Sequence, residues 1–345
     1  MNNKIDFVLP WVDGSDKDWQ KIKSTYENNK VSVSDGSNNA RFRDMDTLKY
    51  VLRSIENNCP WYHKIHIITC GQIPSWLDVS HPKINLVTHE ELYFKKEHLP
   101  IFSSSSIEMN LSNLKEASEK IVYLNDDMII NNPLDKERFF IEGKPVDFLT
   151  HGLLPRNKLF GILKNIDSWI NSLKNNINLI NDKHRIKNLP SKFLFDSSYQ
   201  FTDKLLNLLL KYFWKKYFWF EHWHHPQPYL KSTLKEVYTA FSKPMLACSS
   251  NKFRSNNDLT QYLYRYWHLA KGEFVPRKFN DGLINNITSK EVLKNMLKKT
   301  ETNKQINFVC FNDSVHLSDI DFDDVKDNLT QYLNTKFSSK ASFEK

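Results

Sequence analysis

Residues 120–127 have the sequence KIVYLNDD, an apolar run that ends in the polar turn Asn125-Asp126-Asp127. The run predicts a short buried strand. In open α/β sheets, ligands bind just beyond the carboxyl ends of the strands. Two adjacent carboxylates at such an end can hold a hard divalent cation through oxygen ligands. The stretch therefore predicts a strand that leads into a metal site at Asp126 and Asp127, and a plain structural turn is the alternative.

Apolar runs alternate with helical patterns on both sides of this strand. Besides 120–124, strands are predicted at 5–12, 64–69, 84–88 and 306–310, and helices at 46–57, 106–118, 229–241 and 254–270. In residues 46–57, for example, Leu48, Val51, Leu52 and Ile55 recur at helical spacing. Strand–helix–strand alternation predicts an α/β fold with a mainly parallel sheet flanked by helices.

The composition is that of a folded, basic protein. The chain has 345 residues, of which 40% are hydrophobic and 13% aromatic, and a net charge of +8. This charge favours anionic partners such as phosphorylated substrates, nucleic acid or an acidic membrane surface. The four cysteines form no closely spaced pair, which indicates reduced thiols and a cytoplasmic location. The sequence shows neither a signal-peptide pattern at its start nor an apolar run long enough to span a membrane.

Two further groups of residues have the chemistry of a phosphate-ester site. In the first strand and its turn, Asp6, Trp11 and Asp13 are suited to grip a nucleobase and a ribose, and the alternative is an ordinary turn with a core tryptophan. Arg41 and Arg43, followed by Asp44, are suited to bidentate binding of phosphate oxygens. A surface salt bridge of these arginines with Asp44 and Asp46 is equally consistent with the pattern.

The segment His224-His225-Pro226 offers a general base. Imidazole titrates near neutral pH and can accept a proton from a hydroxyl group. The segment is rich in tryptophan. A histidine buried among aromatic side chains is more often a structural hydrogen-bond donor, so both roles stay open.

Four sequence blocks resemble the Stealth family of sugar-phosphate transferases, which includes bacterial capsule polymerases and the animal enzyme that tags lysosomal hydrolases. The first block is IDFVLPWVDGSD at 5–16. The second contains RFRD at 41–44, LKYVLRSIE at 48–56, PW at 60–61, GQIPSWL at 71–77, VTHEE at 87–91, LPIFSSSSIE at 99–108 and YLNDDM at 123–128. The third contains the segment around His224 and KFRSNND at 252–258, and the fourth is CFNDS at 310–314.

The resemblance implies a reaction and a set of roles. A hexose phosphate would move from a UDP-sugar to a sugar hydroxyl, forming a phosphodiester and releasing UMP. The fold would be a GT-A/Rossmann-like nucleotide-sugar fold with a helical insertion. Mg²⁺, or Mn²⁺ in its place, would be held by Asp126, Asp127 and Asp313. His224 would be the base and Arg254 would bind phosphate. His225 is an extra histidine beside His224, so either one is a candidate base.

The remaining residues take supporting roles in this hypothesis. Arg43 would join Arg254 and Asp127 in stabilising the phosphoryl group. The substrate-binding set would comprise Asp6, Trp11, Asp13, Arg41, Asp44, Ser104, Glu108, Asn125 and His225. Residues 1–150 would bind the nucleotide-sugar and metal, 151–220 would be a helical basic-aromatic insertion, 221–318 would complete the catalytic core, and 319–345 would be a polar tail.

Other functions stay open on these residues. A metal-dependent glycosyltransferase of surface polysaccharide synthesis would use the same carboxylates and release UDP in place of UMP. A basic nucleic-acid-binding protein would need aromatic platforms without an acidic cluster, so the aspartates oppose it and no nucleic-acid partner is expected.

The run KYFWKKYFWF at 211–220 is rich in lysine and aromatic residues. It suggests peripheral contact with an anionic membrane, at the inner face of the cytoplasmic membrane, or with capsule-assembly machinery. The alternative is a core helix whose lysines reach solvent.

Overall fold

The computed structural model describes residues 3–27, 43–152, 168–314 and 316–345. Its helices are α1 (Lys17–Glu27), α2 (Leu48–Asn58), α3 (His89–Leu92), α4 (Ser104–Glu108), α5 (Ser168–Lys183), α6 (Phe201–Leu209), α7 (Lys231–Ser249), α8 (Tyr262–Lys271), α9 (Lys290–Thr302) and α10 (Asp319–Lys336). Its strands are β1 (Ile5–Pro10), β2 (Ile65–Thr69), β3 (Ile84–Thr88), β4 (Lys120–Tyr123), β5 (Met128–Ile130), β6 (Phe140–Ile141), β7 (Lys144–Asp147), β8 (Gln227–Leu230), β9 (Val275–Pro276), β10 (Gly282–Ile287) and β11 (Phe308–Asp313).

The main sheet has the strand order β3-β2-β1-β4-β8. Its first four strands are parallel, and β8 runs antiparallel to β4 at the edge. The predicted α/β fold with a mainly parallel sheet is therefore confirmed. Two three-stranded sheets, β10-β11-β5 and β6-β7-β9, adjoin it. In the first of them, β5 leaves the acidic turn and pairs antiparallel with β11.

Hydrophobic cores cover both faces of the main sheet. Phe7 and Leu9 belong to one core, whereas Val8 between them belongs to the other. Successive side chains of a strand point to opposite faces, so β1 contributes to both. Val51 of α2 packs in the first core and Leu263 of α8 in the second. Burial on both faces explains why β1 is apolar almost throughout.

Three predicted helices differ from the structure, and the one at 229–241 continues as α7 to Ser249. The predicted helix at 106–118 is wrong, because α4 spans only Ser104–Glu108 and a short 3₁₀ turn follows. The Asn110 side chain donates to the Ser106 carbonyl and to Ser249 Oγ, and such side-chain bonds compete with helix formation. The predicted helix at 254–270 begins only at Tyr262, because the Asp258 carboxylate holds the preceding loop by accepting from the Ser255 N–H.

The last part of the chain is integrated into the first core. Residues 319–345, predicted as a polar tail, include α10, of which Val325, Leu329 and Leu333 are buried. Phe343 is fully buried in the same core. Of the predicted insertion 151–220, the described part holds α5 and α6. Within the described ranges, no helix combines the length and the apolar character needed to span a bilayer.

Candidate functional site

Two turns meet at the carboxyl edge of the main sheet. Val8 of β1 lies opposite Tyr123 of β4, and the Leu124 N–H donates to the Val8 carbonyl over 3.1 Å. The chain beyond β1 and the turn Asn125-Asp126-Asp127 beyond β4 therefore emerge side by side. This is the edge where α/β sheets bind ligands.

His224 reaches this turn from the edge strand. Because β8 is antiparallel to β4 and Gln227 pairs with Tyr123, the segment that precedes β8 passes beside the end of β4. Asn125 Nδ2 lies 3.3 Å from His224 Nε2. The amide N–H donates in this arrangement, so Nε2 is the ring nitrogen that carries the lone pair.

Cys310 joins the site through the antiparallel pairing of β5 with β11. Cys310 lies opposite Met128 in this pairing, and its Sγ donates to Asp127 Oδ2 over 3.2 Å. The sequence interpretation treated Cys310 only as a reduced, buried thiol. Its position as the first residue of the CFNDS block was the one signal that pointed to the site.

Asp127, His224 and Cys310 form a group that can hold a metal ion. One ligand atom from each lies within 4.8 Å of the others. Asp127 Oδ1 is buried and has no hydrogen-bond partner among the described residues. A buried carboxylate oxygen without a partner is costly unless a cation or water completes it. The group therefore fits a divalent cation, and its imidazole and thiol add donors that softer ions than Mg²⁺ prefer.

The electrostatics of the turn favour positive charge. Burial, and after it the charges of Asp127 and Asp44, raise the pKa of Asp126 well above its usual range. Asp44 thus contributes to the same field as the two carboxylates of the turn. Burial also lowers the pKa of His224, with Arg254 acting in the same direction and Asp127 against it. His224 is therefore neutral at pH 7 and able to accept a proton.

Ser104 and Glu108 lie near Arg254 at the site. Arg254 Nη2 lies 3.5 Å from Ser104 Oγ. Glu108 is buried and accepts from the Gln261 N–H over 2.7 Å and from the Tyr123 hydroxyl over 3.2 Å. Burial raises the pKa of Glu108 to about 7, although these hydrogen bonds and Arg254 oppose the rise. Residues predicted from two separate blocks thus lie together.

The two neighbouring histidines face different surroundings. The His225 ring lies 5.5 Å from the ring of Phe308, centroid to centroid, and its Nδ1 is 2.9 Å from the Pro226 carbonyl oxygen. Burial lowers the pKa of His225 to about 4. The structure places His224, and not His225, beside the acidic turn.

Arg43 and Asp313 are paired with each other. Arg43 Nε and Nη2 donate to the two Asp313 carboxylate oxygens, each over 2.9 Å, and Nη1 donates to Asp319 over 2.9 Å. Asp313 is thus outside the group formed by Asp127, His224 and Cys310. The roles predicted for Arg43 on phosphate and for Asp313 on the metal stay predictions, and Arg41 lies outside the described residues.

The residues predicted to bind the nucleoside lie in different parts of the structure. Asp13 closes the turn after β1 by accepting from Ser15 Oγ over 2.6 Å, so it lies at the carboxyl edge. Trp11 packs into the first core with 9% of its surface exposed. Asp6 is fully buried, with His63, His66 and the Ser118 N–H on its two carboxylate oxygens. The structure does not bring Asp6 to the edge, because it lies at the opposite end of β1.

Comparisons with known proteins agree with the sequence blocks. Three family models match: Stealth protein CR1, conserved region 1, at 3–31; CR2, conserved region 2, at 41–147; and CR3, conserved region 3, at 223–270. The chain is 36% identical to the capsular polysaccharide phosphotransferase WcwK of Streptococcus pneumoniae, over 99% of this chain and 98% of the relative.

Two other proteins show the range of similarity. The exopolysaccharide phosphotransferase cps2G of Lactiplantibacillus plantarum is 31% identical over 99% of this chain and 96% of its own length. Among solved structures, the galactosyltransferase LgtC, in complex with donor and acceptor sugar analogues, matches with a TM-score of 0.38 and 9% identity, over 96% of this chain and 95% of that chain.

Proposed function

Because the chain belongs to the Stealth family of sugar-phosphate transferases, we propose that it moves a hexose phosphate from a UDP-sugar to a sugar hydroxyl of a growing surface polysaccharide. The acceptor oxygen bonds to the β-phosphorus, and the bond from that phosphorus to the bridging oxygen breaks. UMP leaves, and the product is a phosphodiester. The acceptor is an oligosaccharide or polysaccharide, in keeping with relatives named as capsular and exopolysaccharide phosphotransferases.

The observation that carries this proposal is the meeting of His224 with Asp127 and Arg254 at the carboxyl edge of the sheet. His224 Nε2 holds a lone pair and is kept neutral by burial. It takes the proton of the acceptor hydroxyl as that oxygen attacks. Arg254 binds the phosphoryl oxygens through its guanidinium group. The Asn125 amide, which donates to the Nε2 lone pair in this structure, gives way to the acceptor hydroxyl when that hydroxyl binds.

The acidic turn is where a metal ion would sit. Asp127 and Asp126 would hold Mg²⁺ or Mn²⁺, which would neutralise charge on the diphosphate when bound. The partnerless Asp127 Oδ1 and the raised pKa of Asp126 support this assignment. Ser104 and Glu108, next to Arg254, line the side of the site where the sugar or the acceptor is expected.

The test is a panel of UDP-sugars incubated with the purified chain, Mg²⁺ and oligosaccharide acceptors. UMP release, together with a phosphodiester signal in the phosphorus NMR spectrum of the product, is the expected result. Release of UDP with an unphosphorylated glycoside product would instead establish a glycosyltransferase. The His224→Ala variant, assayed in parallel, controls for contaminating hydrolases.

A further inference from the structure

Helix α6 and the helical turn that continues it to Trp214 turn a continuous apolar face toward solvent. The side chains concerned, here called the outward apolar face, are Phe201 (80% exposed), Leu205 (48%), Leu208 (40%), Leu209 (44%), Tyr212 (58%), Phe213 (76%) and Trp214 (62%). From Phe201 to Tyr212 their spacing is that of residues on one side of a helix. Contiguous exposed apolar surface of this kind marks an interaction site.

The opposite side of α6 faces the protein interior and combines the polar Asp203 and Asn207 with Leu206 and Leu210, which pack in the second core. Asp203 accepts from Lys278 Nζ over 3.0 Å. Asn207 donates to the Leu149 and Leu194 carbonyl oxygens over 2.9 Å each, and its Oδ1 lies 2.9 Å from His151 Nδ1. The helix therefore exposes more apolar surface than an ordinary surface helix, whose apolar side faces the core. Buried hydrogen bonds of Asp203 and Asn207 hold α6 in this orientation. The outward apolar face is therefore not part of the core.

The surroundings of this face are basic. Residues 204–220 contain four lysines and neither Asp nor Glu. Lys215 and Lys216 are exposed next to Trp214. Lys211 Nζ donates to the Leu189 carbonyl over 2.8 Å, at the rim of a cavity of about 290 Å³. The lining of that cavity includes Lys183, Arg185 and Lys271, of which Lys271 is ion-paired with Glu236 and Glu273.

We propose that the outward apolar face docks on an anionic phospholipid membrane. Aromatic rings with flanking lysines match the interface of such a bilayer, where the rings lie at the level of the headgroups and the lysines contact phosphate. The neighbouring basic cavity accommodates a headgroup phosphate. A neutral protein partner would explain the apolar side chains but not the four lysines within residues 204–220. This inference stands independently of the reaction proposed above.

Vesicle co-sedimentation tests the proposal directly. The chain is mixed with vesicles of phosphatidylglycerol and phosphatidylcholine, and with vesicles of phosphatidylcholine alone. We expect binding to the anionic vesicles and at least tenfold weaker binding to the neutral ones. The double variants Phe213→Ser with Trp214→Ser, and Lys215→Glu with Lys216→Glu, should each lower the partition coefficient by about tenfold or more. All four side chains are exposed, so these variants should fold.

The matched control variants carry the same kinds of substitution at exposed positions away from the outward apolar face. Ile320→Ser removes an apolar side chain that is 89% exposed on α10, and Lys294→Glu with Lys298→Glu reverses two exposed lysines on α9. Both controls should bind anionic vesicles like the unaltered chain. Transfer to a soluble acceptor should be unchanged in every variant, which separates this proposal from the proposed reaction.

Three outcomes would overturn the inference. The first is failure of the unaltered chain to bind anionic vesicles. The second is equal binding by the Phe213/Trp214 variant and the Ile320 control. The third is a change from dimer to monomer in that variant, measured by light scattering, without vesicle binding; this would assign the face to a second copy of the chain.

Discussion

At the scale of single residues, His224 is the proposed general base, so its replacement should impair proton transfer and leave donor binding intact. Its ring contacts the acidic turn through Asn125, whereas His225 packs against Phe308. We expect His224→Ala to lower kcat by about 10²–10⁴-fold, the usual contribution of a general base. His224→Gln keeps a polar group beside Asn125 but accepts no proton, so it should be equally impaired. Calorimetry should show little change in donor affinity.

The control for this prediction is His81→Ala, since the His81 ring packs against Phe343 on another part of the molecule. It should retain full activity. Full turnover by His224→Ala would remove the assignment of the base. Loss of Mn²⁺ binding in that variant would identify His224 as a metal ligand in place of a base.

Glu108 makes stability depend on pH. Its pKa is about 7 in the folded chain, above the ordinary value for Glu, mainly because of burial. The folded state therefore binds the proton more tightly than the unfolded state, and the stability contributed by Glu108 falls as pH rises through about 7. Glu108→Gln removes this dependence. Relative to the unaltered chain, the variant should gain up to about 3 kcal/mol between pH 5 and pH 8.

Urea unfolding at pH 5 and pH 8 measures this difference. Glu91→Gln is the matched control, since Glu91 is an exposed carboxylate in the cap of α3. A Glu108→Gln variant whose relative stability does not change with pH would contradict the prediction.

At the scale of elements, Asp6 hydrogen-bonds residues beside and within neighbouring strands, which indicates a structural role. Its carboxylate contacts His63 before β2, His66 within β2 and the Ser118 N–H before β4. Burial alone would raise the pKa of Asp6, but the hydrogen bonds from His66, Ser118 and His63 lower it to about 2. Asp6→Asn should therefore destabilise the chain by about 1–3 kcal/mol, since buried partners lose their acceptor.

Thermal unfolding and steady-state kinetics together check this prediction. The folded Asp6→Asn variant should keep the KM for the UDP-sugar unchanged. A tenfold rise in KM without loss of stability would restore the nucleoside role predicted from the sequence. Asp13→Asn, which alters the turn at the carboxyl edge, is the comparison expected to change KM.

At the scale of the whole molecule, a buried ionic network joins the sheet β6-β7-β9 to helix α8 of the second core. Arg265 of α8 donates to Asp147 of β7 through Nε and Nη2, and His268 Nε2 lies 2.8 Å from the same carboxylate. All three side chains are buried. Arg265→Met leaves Asp147 buried without its guanidinium partner and should lower the free energy of unfolding by about 3–5 kcal/mol.

A double-mutant cycle tests whether the loss of stability comes from the broken contact between Arg265 and Asp147. Arg265→Met combined with Asp147→Asn should be less destabilised than the sum of the two single variants. Lys290→Met, which breaks an ion pair with Asp324 on the surface, should leave stability unchanged within error. Additive effects in the cycle would show that Arg265 and Asp147 act independently.

Local sequence patterns were enough to predict several strands and the chemical types of residue at the site. Apolar runs of strand length predicted β1, β2, β3 and β4 to within a few residues. A strand that is buried on both faces of a sheet must be apolar almost throughout, so such runs are a reliable sign of it. The acidic turn could be predicted to lie at a ligand-binding edge because it follows a strand directly. The order of the sequence blocks indicated the family, and with it a phosphate-transfer site.

Which of these residues lie in contact could not be predicted from local patterns, because it depends on how distant segments pack. The pairing of β5 with β11 brings Cys310 to Asp127, and the antiparallel β8 turns His224 toward Asn125. The strand direction takes Asp6 to the opposite end of β1, and α6 exposes apolar residues such as Phe201 and Leu205 to solvent. A local pattern fixes the side on which a side chain lies within its element. Strand order and register fix the distance between residues remote in the chain, and these depend on packing of the whole molecule.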